Sequence, residues 1–170
     1  MPTYRINPSR SQIWMEAQSS VHPIHGEAKG LEGEIVAEVA DGRLDLSSQP
    51  TMRIELPIDA LKSGNALQDK EMQRRVEARR YPKIIGESKD ISQQGNGSRY
   101  RVRGDLTFHG VTRPVDGEVD LSIPDERTLV LEGTQTFDIR DYGVTPPKIL
   151  MLKVHPHVKV RVRVVGELQN

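Results

Sequence analysis

The chain has 170 residues, enough for a buried core, so we expect a single domain that covers residues 1–170. Its 24 Lys and Arg residues balance 24 Asp and Glu residues and it contains no cysteine, which argues against a nucleic-acid partner and excludes a disulfide framework. Residues 1–10 carry no apolar secretory segment, and no apolar run approaches the roughly 18 residues of a membrane helix, so we expect a cytoplasmic protein.

The first third of the chain alternates between apolar and polar residues, which is typical of strands that bury one face. Predicted strands cover residues 11–20, 29–40 and, after an interruption at residues 47–50, residues 51–58. Asp41-Gly42 predicts a tight hairpin turn after the second of these strands. Tight turns between consecutive strands indicate an antiparallel sheet.

Residues 66–80 predict the one helix of the chain. Asn65 can cap its first turn, and Pro82 is expected to end it because proline has no backbone N–H. Residues 69–83 hold six basic side chains against three acidic ones, an excess that stands out in a neutral chain. The excess fits an ordinary solvated helix face, which we favour, or a transient contact with an anionic membrane surface.

The second half of the chain returns to strict alternation. Strands are predicted over residues 83–91, 99–108, 115–123, 129–139 and 157–168. Asn96-Gly97 marks one hairpin tip, residues 109–114 form the turn of the central hairpin, and the apolar run over residues 149–154 is too short to assign. The pattern therefore predicts an all-β chain with about eight antiparallel strands and one short helical insertion near residues 66–80. Such a chain hides its sheet edges either by stacking two sheets or by closing into a single antiparallel β-barrel, which at about eight strands has room for side chains or one small ligand.

If the sheet closes into a barrel, the residues leave open whether its interior contains a cavity. Glycine occupies four inward positions, which are Gly33, Gly104, Gly117 and Gly133. Such glycines either leave space for a small ligand or mark the bends and bulges that a barrel needs. Gln135 interrupts the apolar face of its strand, as a satisfied buried amide or as a polar contact inside a cavity, and we favour the cavity.

Three stretches of the sequence resemble the YceI-like family. They are residues 104–115 (GDLTFHGVTRPV), residues 81–84 (YPKI) and residues 137–144 (FDIRDYGV). Their order and spacing agree with that family over nearly the whole chain. The resemblance implies a lipocalin-like barrel that binds, sequesters or transports a polyisoprenoid or fatty-acid-like lipid, without catalysis and without a cofactor. Many relatives carry an export signal, and in this respect the sequence departs from them.

The alternation and the resemblance together give a set of candidate ligand-binding residues. The expected wall residues are Ile84, Leu106, Phe108, Phe137 and Ile139, with Gln135 as a polar contact. The helix is expected to act as a lid through Leu67, Met72 and Val76. The family-like motifs suggest that Tyr81, Arg140 and Tyr142 meet a polar head group, although a structural ion pair of Arg140 with Asp138 or Asp141 is equally compatible with the sequence.

Two other classes of function stay open at this point. The charged outward rows of two predicted strands fit a ligand-free protein-interaction module, although such rows also serve simply to keep a barrel soluble; they are Arg99, Arg101 and Arg103, and Lys159, Arg161 and Arg163. The five histidines, two of them at positions 155 and 157, allow a metal-dependent enzyme as the weaker alternative, and no metal site is predicted. A homodimer is also left open.

Overall fold

A computed structural model describes residues 1–95, 97–149 and 152–170. Asn96 of the predicted hairpin tip, and residues 150–151 of the unassigned apolar run, lie outside the described residues. The strands are β1 (Thr3–Ile6), β2 (Gln12–Ser19), β3 (Ile24–Ala28), β4 (Glu32–Val36), β5 (Val39–Ala40), β6 (Arg43–Leu44), β7 (Thr51–Pro57), β8 (Lys83–Gln93), β9 (Arg99–Phe108), β10 (Val111–Asp125), β11 (Thr128–Asp138), β12 (Lys148–Ile149) and β13 (Leu152–Leu168). The helix is α1 (Ala66–Arg75), and 3₁₀ turns cover Leu46–Ser48, Ile58–Ala60 and Ile139–Tyr142.

The strands close into one antiparallel barrel, because β13 pairs with β11 on one side and with both β1 and β2 on the other. β1 and β2 pair with different parts of β13 and together count as one of the strand positions in the barrel wall. β4, which pairs with β1, and β3, which pairs with β2, together count as the next position. β7, β8, β9, β10 and β11 then lead back to β13, which makes eight positions. This confirms the predicted eight-stranded antiparallel barrel with a single short helix.

The central hairpin has the predicted strands but a shorter turn. Only His109 and Gly110 turn the chain, both at positive φ (54° and 70°), which is the two-residue geometry that matches the twist of a hairpin. The prediction that residues 109–114 form the turn is therefore wrong. Pro114 lies within β10, opposite Asp105 of β9.

α1 begins where the sequence predicts and ends earlier. The Asn65 side chain accepts hydrogen bonds from two backbone N–H groups of the first turn, at 3.0 and 3.1 Å. The helix predicted over residues 66–80 stops at its tenth residue, because Glu77 adopts a left-handed φ of 51°. The N–H of Ala78 then donates to the carbonyl of Gln73 at 2.9 Å, the bond that closes many helix ends.

One end of the barrel is filled with side chains. Tyr100 lies at its centre, 1% exposed, and its hydroxyl accepts a hydrogen bond from the N–H of Leu44 in the β5–β6 hairpin at 3.1 Å. The surrounding buried side chains include Ile6, Ile35, Leu121, Leu129 and Val164. Each such side chain contributes roughly 1.5–3 kcal/mol when it is fully buried. Burial at this closed end therefore contributes to the stability of the fold.

Candidate ligand-binding cavity

The other half of the barrel encloses a cavity of about 440 Å³. This volume is in the range of roughly 300–1,000 Å³ that is usual for small-molecule sites. The wall is almost entirely carbon, supplied by the inward faces of the strands and by one side of α1. Wall residues outside the sequence-predicted set include Met15, Ile54, Leu56, Val102, Val160 and Val162. The alternation of their strands was the signal that could have identified them.

Nine of the twelve sequence-predicted ligand-binding residues line this cavity. They are Met72, Val76, Ile84, Leu106, Phe108, Gln135, Phe137, Ile139 and Tyr142. They come from α1 and the residue that follows it, from three strands (β8, β9 and β11) and from the 3₁₀ turn after β11, so the fold brings together residues that are distant in the chain. The structure places the remaining three residues elsewhere.

Leu67 does not belong to the apolar face of α1. It is 54% exposed, whereas Val76 is 3% exposed. At 100° per residue, Leu67 is displaced by about 140° around the helix axis from Met72, whereas Met72 and Val76 are only about 40° apart. Met72 and Val76 therefore line the cavity, and Leu67 does not.

Tyr81 and Arg140 also lie away from the cavity wall. The ring of Tyr81 packs edge-on against His109, with 5.4 Å between the ring centres. The guanidinium of Arg140 binds both carboxylate oxygens of Asp138, at 3.0 and 2.7 Å. The structural ion pair that the sequence left open is thus what the fold contains, and neither side chain is placed to meet a ligand inside the barrel.

The inward glycines separate into two kinds. At Gly33 and Gly104 a Cβ atom would overlap a carbonyl oxygen of the neighbouring strand, and Gly33 also has a φ of 140°. These two positions allow close approach of strands. At Gly117 a Cβ would meet only the Gln135 amide, at 3.1 Å, whereas at Gly133 it would lie 3.0 Å from the carbonyl oxygen of Glu118. Close approach of strands therefore accounts for Gly33, Gly104 and Gly133, and only Gly117 has open space beside the cavity.

The barrel wall has a gap between β10 and β11 beside the cavity. Within the described part of the chain, these strands pair over residues 119–125 of β10, and no ladder joins residues 111–118 to residues 134–138. The Nε2 group of Gln135 spans the gap and donates to the carbonyl of Asp116 at 3.3 Å. The amide is hydrogen-bonded and also forms part of the cavity wall. The gap also explains why proline is tolerated in this half of β10.

A second opening lies between β3 and α1. The exposed side chains of His25 and Lys62 reach the cavity there, and a single backbone pair, Glu27 with Lys62, joins the two segments. Asp69 also borders the opening, but its carboxylate accepts hydrogen bonds from the N–H and Oγ of Ser63 at 2.9 and 2.7 Å. The edge of this opening therefore carries polar side chains, among them the exposed ammonium group of Lys62.

Three elements are held together above the cavity by His109. Its Nε2 lies 2.7 Å from a carboxylate oxygen of Glu77, at the end of α1, and its Nδ1 lies 2.9 Å from the carbonyl of Tyr142. The ring of Tyr142 packs against Phe108. The contacts fix α1, the β9–β10 turn and the 3₁₀ turn relative to one another. Sequence reasoning missed this link because its members are more than 30 residues apart.

Near the cavity, the pKa values of Asp138 and Tyr142 are shifted in the directions that keep the carboxylate charged and the phenol neutral. The hydrogen bonds from Arg140 lower the pKa of Asp138 to about 2, and burial raises the pKa of Tyr142. Elsewhere in the described residues, ion pairs and hydrogen bonds lower the pKa of several carboxyl groups and raise the pKa of several arginines, and burial raises the pKa of Tyr4. All of these pKa values move away from neutrality. General acid–base catalysis favours a shift in the opposite direction.

The surroundings of the histidines and of the outward arginines bear on the two alternative functions, a metal-dependent enzyme and a protein-interaction module. In the described ranges, no three His, Asp or Glu side chains come together as a metal-binding group. The outward basic rows lie opposite acidic ones: Arg101 binds Asp116 at 2.5 Å, and Arg163 binds Glu132 at 2.6 Å. Cross-strand pairs of this kind neutralise much of the positive surface that an acidic partner would need.

A family model agrees with this architecture over almost the whole chain. The model of the YceI-like domain matches residues 4–166. The chain belongs to the YceI-like family. A search of curated protein sequences found no match. Among the described residues of this YceI-like chain, no helix has the length and hydropathy of a membrane span.

Solved structures share the fold of this YceI-like chain at low sequence identity. BcnA from Burkholderia cenocepacia is 17% identical, with a TM-score of 0.79 over 94% of this chain and 98% of that chain. A polyisoprenoid binding domain from Saccharophagus degradans, implicated in plant cell wall breakdown, is 11% identical, with a TM-score of 0.76 over 98% of each chain. The Campylobacter jejuni YceI protein is 14% identical, with a TM-score of 0.68 over 85% of each chain.

Proposed function

We propose that this YceI-like chain binds one long apolar molecule, a polyisoprenoid or a fatty-acid-like lipid, and sequesters or transports it without chemical change. The observation that carries the proposal is the cavity of about 440 Å³ with a wall of carbon. An apolar ligand would fill this space without leaving a polar group unpaired. The description of the Saccharophagus degradans relative as a polyisoprenoid binding domain supports the same ligand class.

Burial of the ligand supplies the driving force. Each buried methylene contributes roughly 0.8 kcal/mol, so ten carbons give about 8 kcal/mol. Association and ordering cost an estimated 4–15 kcal/mol. Two isoprene units therefore bind weakly, and affinity rises with chain length until the cavity is full. Carbons beyond that point stay in water and add little.

The proposed ligand contacts are the nine sequence-predicted residues on the wall together with the further valines, Ile54 and Met15. A polar end of the ligand is expected at one of the two openings, because the cavity wall is almost entirely carbon. Gln135 supplies an amide at the β10–β11 gap. A homodimer and a cytoplasmic location stay predictions.

Displacement of an apolar fluorescent dye by prenols of two, four and eight isoprene units tests the proposal. We expect weak competition by the shortest prenol, strong competition by the four-unit prenol, and a small further gain at eight units. Straight-chain alcohols of equal carbon number distinguish a preference for branched chains from general lipid binding. If neither series displaces the dye, the proposal is wrong and the ligand-free interaction module gains support.

A further inference from the structure

One surface of the molecule surrounds the opening between β3 and α1, and we call it the mouth surface. It consists of Val21, Lys62, Leu67, Lys70, Lys148 and Lys153. Backbone contacts connect its parts: the N–H of Ser20 donates to the carbonyl of Lys153 at 3.0 Å, and Lys148 pairs with Lys153 between β12 and β13. Lys62 pairs with Glu27 of β3, and α1 follows directly. These contacts link the β2–β3 turn to the β12–β13 hairpin, and β3 to the segment that leads into α1.

Apolar side chains are unusually exposed on the mouth surface. Three large hydrophobic side chains are exposed among the described residues: Met1 at the chain start, Val21 at 71% and Leu67 at 54%. Ile24 and Gln68, close to Val21 and Leu67 in the chain, line the cavity. A single exposed apolar residue needs no explanation. Two beside the same opening of an apolar cavity indicate a surface that meets an apolar phase.

The charge of the mouth surface differs from that of the barrel wall. The segments 19–27, 62–70 and 148–153 hold four lysines, one aspartate and one glutamate, a net charge of +2 in a chain whose net charge is 0. Asp69 accepts hydrogen bonds from Ser63, and Glu27 accepts one from the side chain of Gln12 at 2.6 Å. In the described part of the chain, no carboxylate lies within 4 Å of these four ammonium groups. The β10–β11 gap is bordered instead by Asp116 and Glu118.

We propose that the mouth surface docks on an anionic lipid bilayer, so that the cavity opens toward the membrane. The proposal rests on the function proposed above, since a long apolar ligand moves more readily between the cavity and a membrane than through water. The lysines would contact anionic head groups, and Val21 and Leu67 would enter the interfacial region. A second copy of the chain fits this surface poorly, because a symmetric contact would bring the same lysines together.

Co-sedimentation with vesicles tests the docking. The intact protein is mixed with vesicles of phosphatidylcholine and phosphatidylglycerol (about 7:3) and with vesicles of phosphatidylcholine alone. The test variant is Lys148→Glu/Lys153→Glu, in which neither residue lines the cavity. The matched control is Lys29→Glu/Lys159→Glu, which reverses two exposed lysines away from the opening. Leu67→Gln tests the apolar contribution separately.

We expect the wild type and the control to bind the anionic vesicles and to bind pure phosphatidylcholine weakly. Because each lysine near an anionic surface contributes about fivefold in partitioning, the test variant should bind at least about 25-fold more weakly. Leu67→Gln should weaken binding by a smaller factor. Equal binding of wild type and test variant, equal losses in test and control variants, or a dimer through this surface without vesicle binding would each overturn the proposal.

Prenol binding without vesicles separates this proposal from the proposed function. If prenols bind all variants but the wild type ignores anionic vesicles, the docking surface is wrong and the ligand assignment stands. If vesicle binding depends on Lys148 and Lys153 but no prenol binds, the docking surface stands and the ligand assignment is wrong.

Discussion

Substitution of Gly117 by leucine fills the cavity from its wall. Gly117 lies on β10, its φ is not in the left-handed region, and a Cβ there would meet only the movable end of the Gln135 side chain. Leucine adds four carbons that project into the space a ligand would occupy. The substitution should therefore weaken ligand binding while the empty protein keeps its fold.

The magnitude follows from the carbons exchanged. Four displaced methylene-sized groups at roughly 0.8 kcal/mol each remove about 3 kcal/mol of ligand binding, which is about 200-fold in Kd. The same burial contributes favourably to the ligand-free protein, so its melting temperature should stay equal or rise. Dye displacement by the four-unit prenol measures the first effect, and a thermal melt without ligand measures the second. The two readouts are thus expected to move in opposite directions.

Gly97→Leu is the matched control, because no atom lies within 4 Å of a Cβ at that position. It should leave prenol binding unchanged. Unchanged prenol binding by Gly117→Leu in a protein that melts normally would refute the assignment of the cavity as the ligand site. Loss of folding would be a different result, recognised by the thermal melt, and a smaller Gly117→Ala substitution would then repeat the test.

Three further predictions concern the scaffold around the cavity. His109→Asn keeps a residue type that tolerates the left-handed turn but removes the two hydrogen bonds of the imidazole. It should lower the free energy of unfolding by about 1–3 kcal/mol and the melting temperature by roughly 2–4 °C for each kcal/mol. An unchanged melting curve would contradict the role of His109 as a link above the cavity. Gly33→Ala places a Cβ against a carbonyl oxygen at a φ of 140° and should cost more than about 2 kcal/mol in a urea titration, whereas Gly97→Ala should cost well under 1 kcal/mol. Because the folded pKa of Asp138 is about 2, below its ordinary 3.8, its ion pair with Arg140 stabilises the protein above about pH 4 and is lost as the pH falls toward 2. The difference in urea midpoint between wild type and Asp138→Asn should therefore shrink over that interval, and a constant difference would refute the role of this ion pair.

Period-two alternation predicted the strands, because each strand buries one face, and the resemblance to the YceI-like family favoured their closure into a barrel. β9, β11 and β13 lie close to where the pattern places them. The same alternation indicated the wall of the cavity, since the inward faces of neighbouring strands must share one interior. What the pattern did not reveal is which half of the interior is filled by side chains and which is empty, because that depends on packing between strands.

The errors occurred where contacts distant in sequence decide the local structure. The end of α1 is set by the left-handed Glu77, which His109 binds from a hairpin 32 residues away. The prediction that Pro82 ends the helix considered only the local chain. Pro114 was expected in a turn because proline disrupts a central ladder, but the β10–β11 gap makes that position of β10 an edge.

Leu67 was assigned to the lid because it is apolar and lies on the helix. Helical geometry alone places it about 140° from Met72, so closer attention to the period would have excluded it. Its exposure is instead one of the observations behind the proposed docking surface. The head-group role suggested for Arg140 gave way to its pair with Asp138, two residues away. A short polar motif can thus serve the scaffold rather than the ligand.

Native mass spectrometry of the purified protein tests the central claim most directly, namely that the barrel holds one long apolar molecule. We predict the mass of the chain plus one ligand of hydrocarbon-rich composition, recovered in an organic extract at near-equal molar amount and depleted in Gly117→Leu. A chain that shows only its own mass, and that gains none after incubation with prenols or fatty acids, would contradict the account.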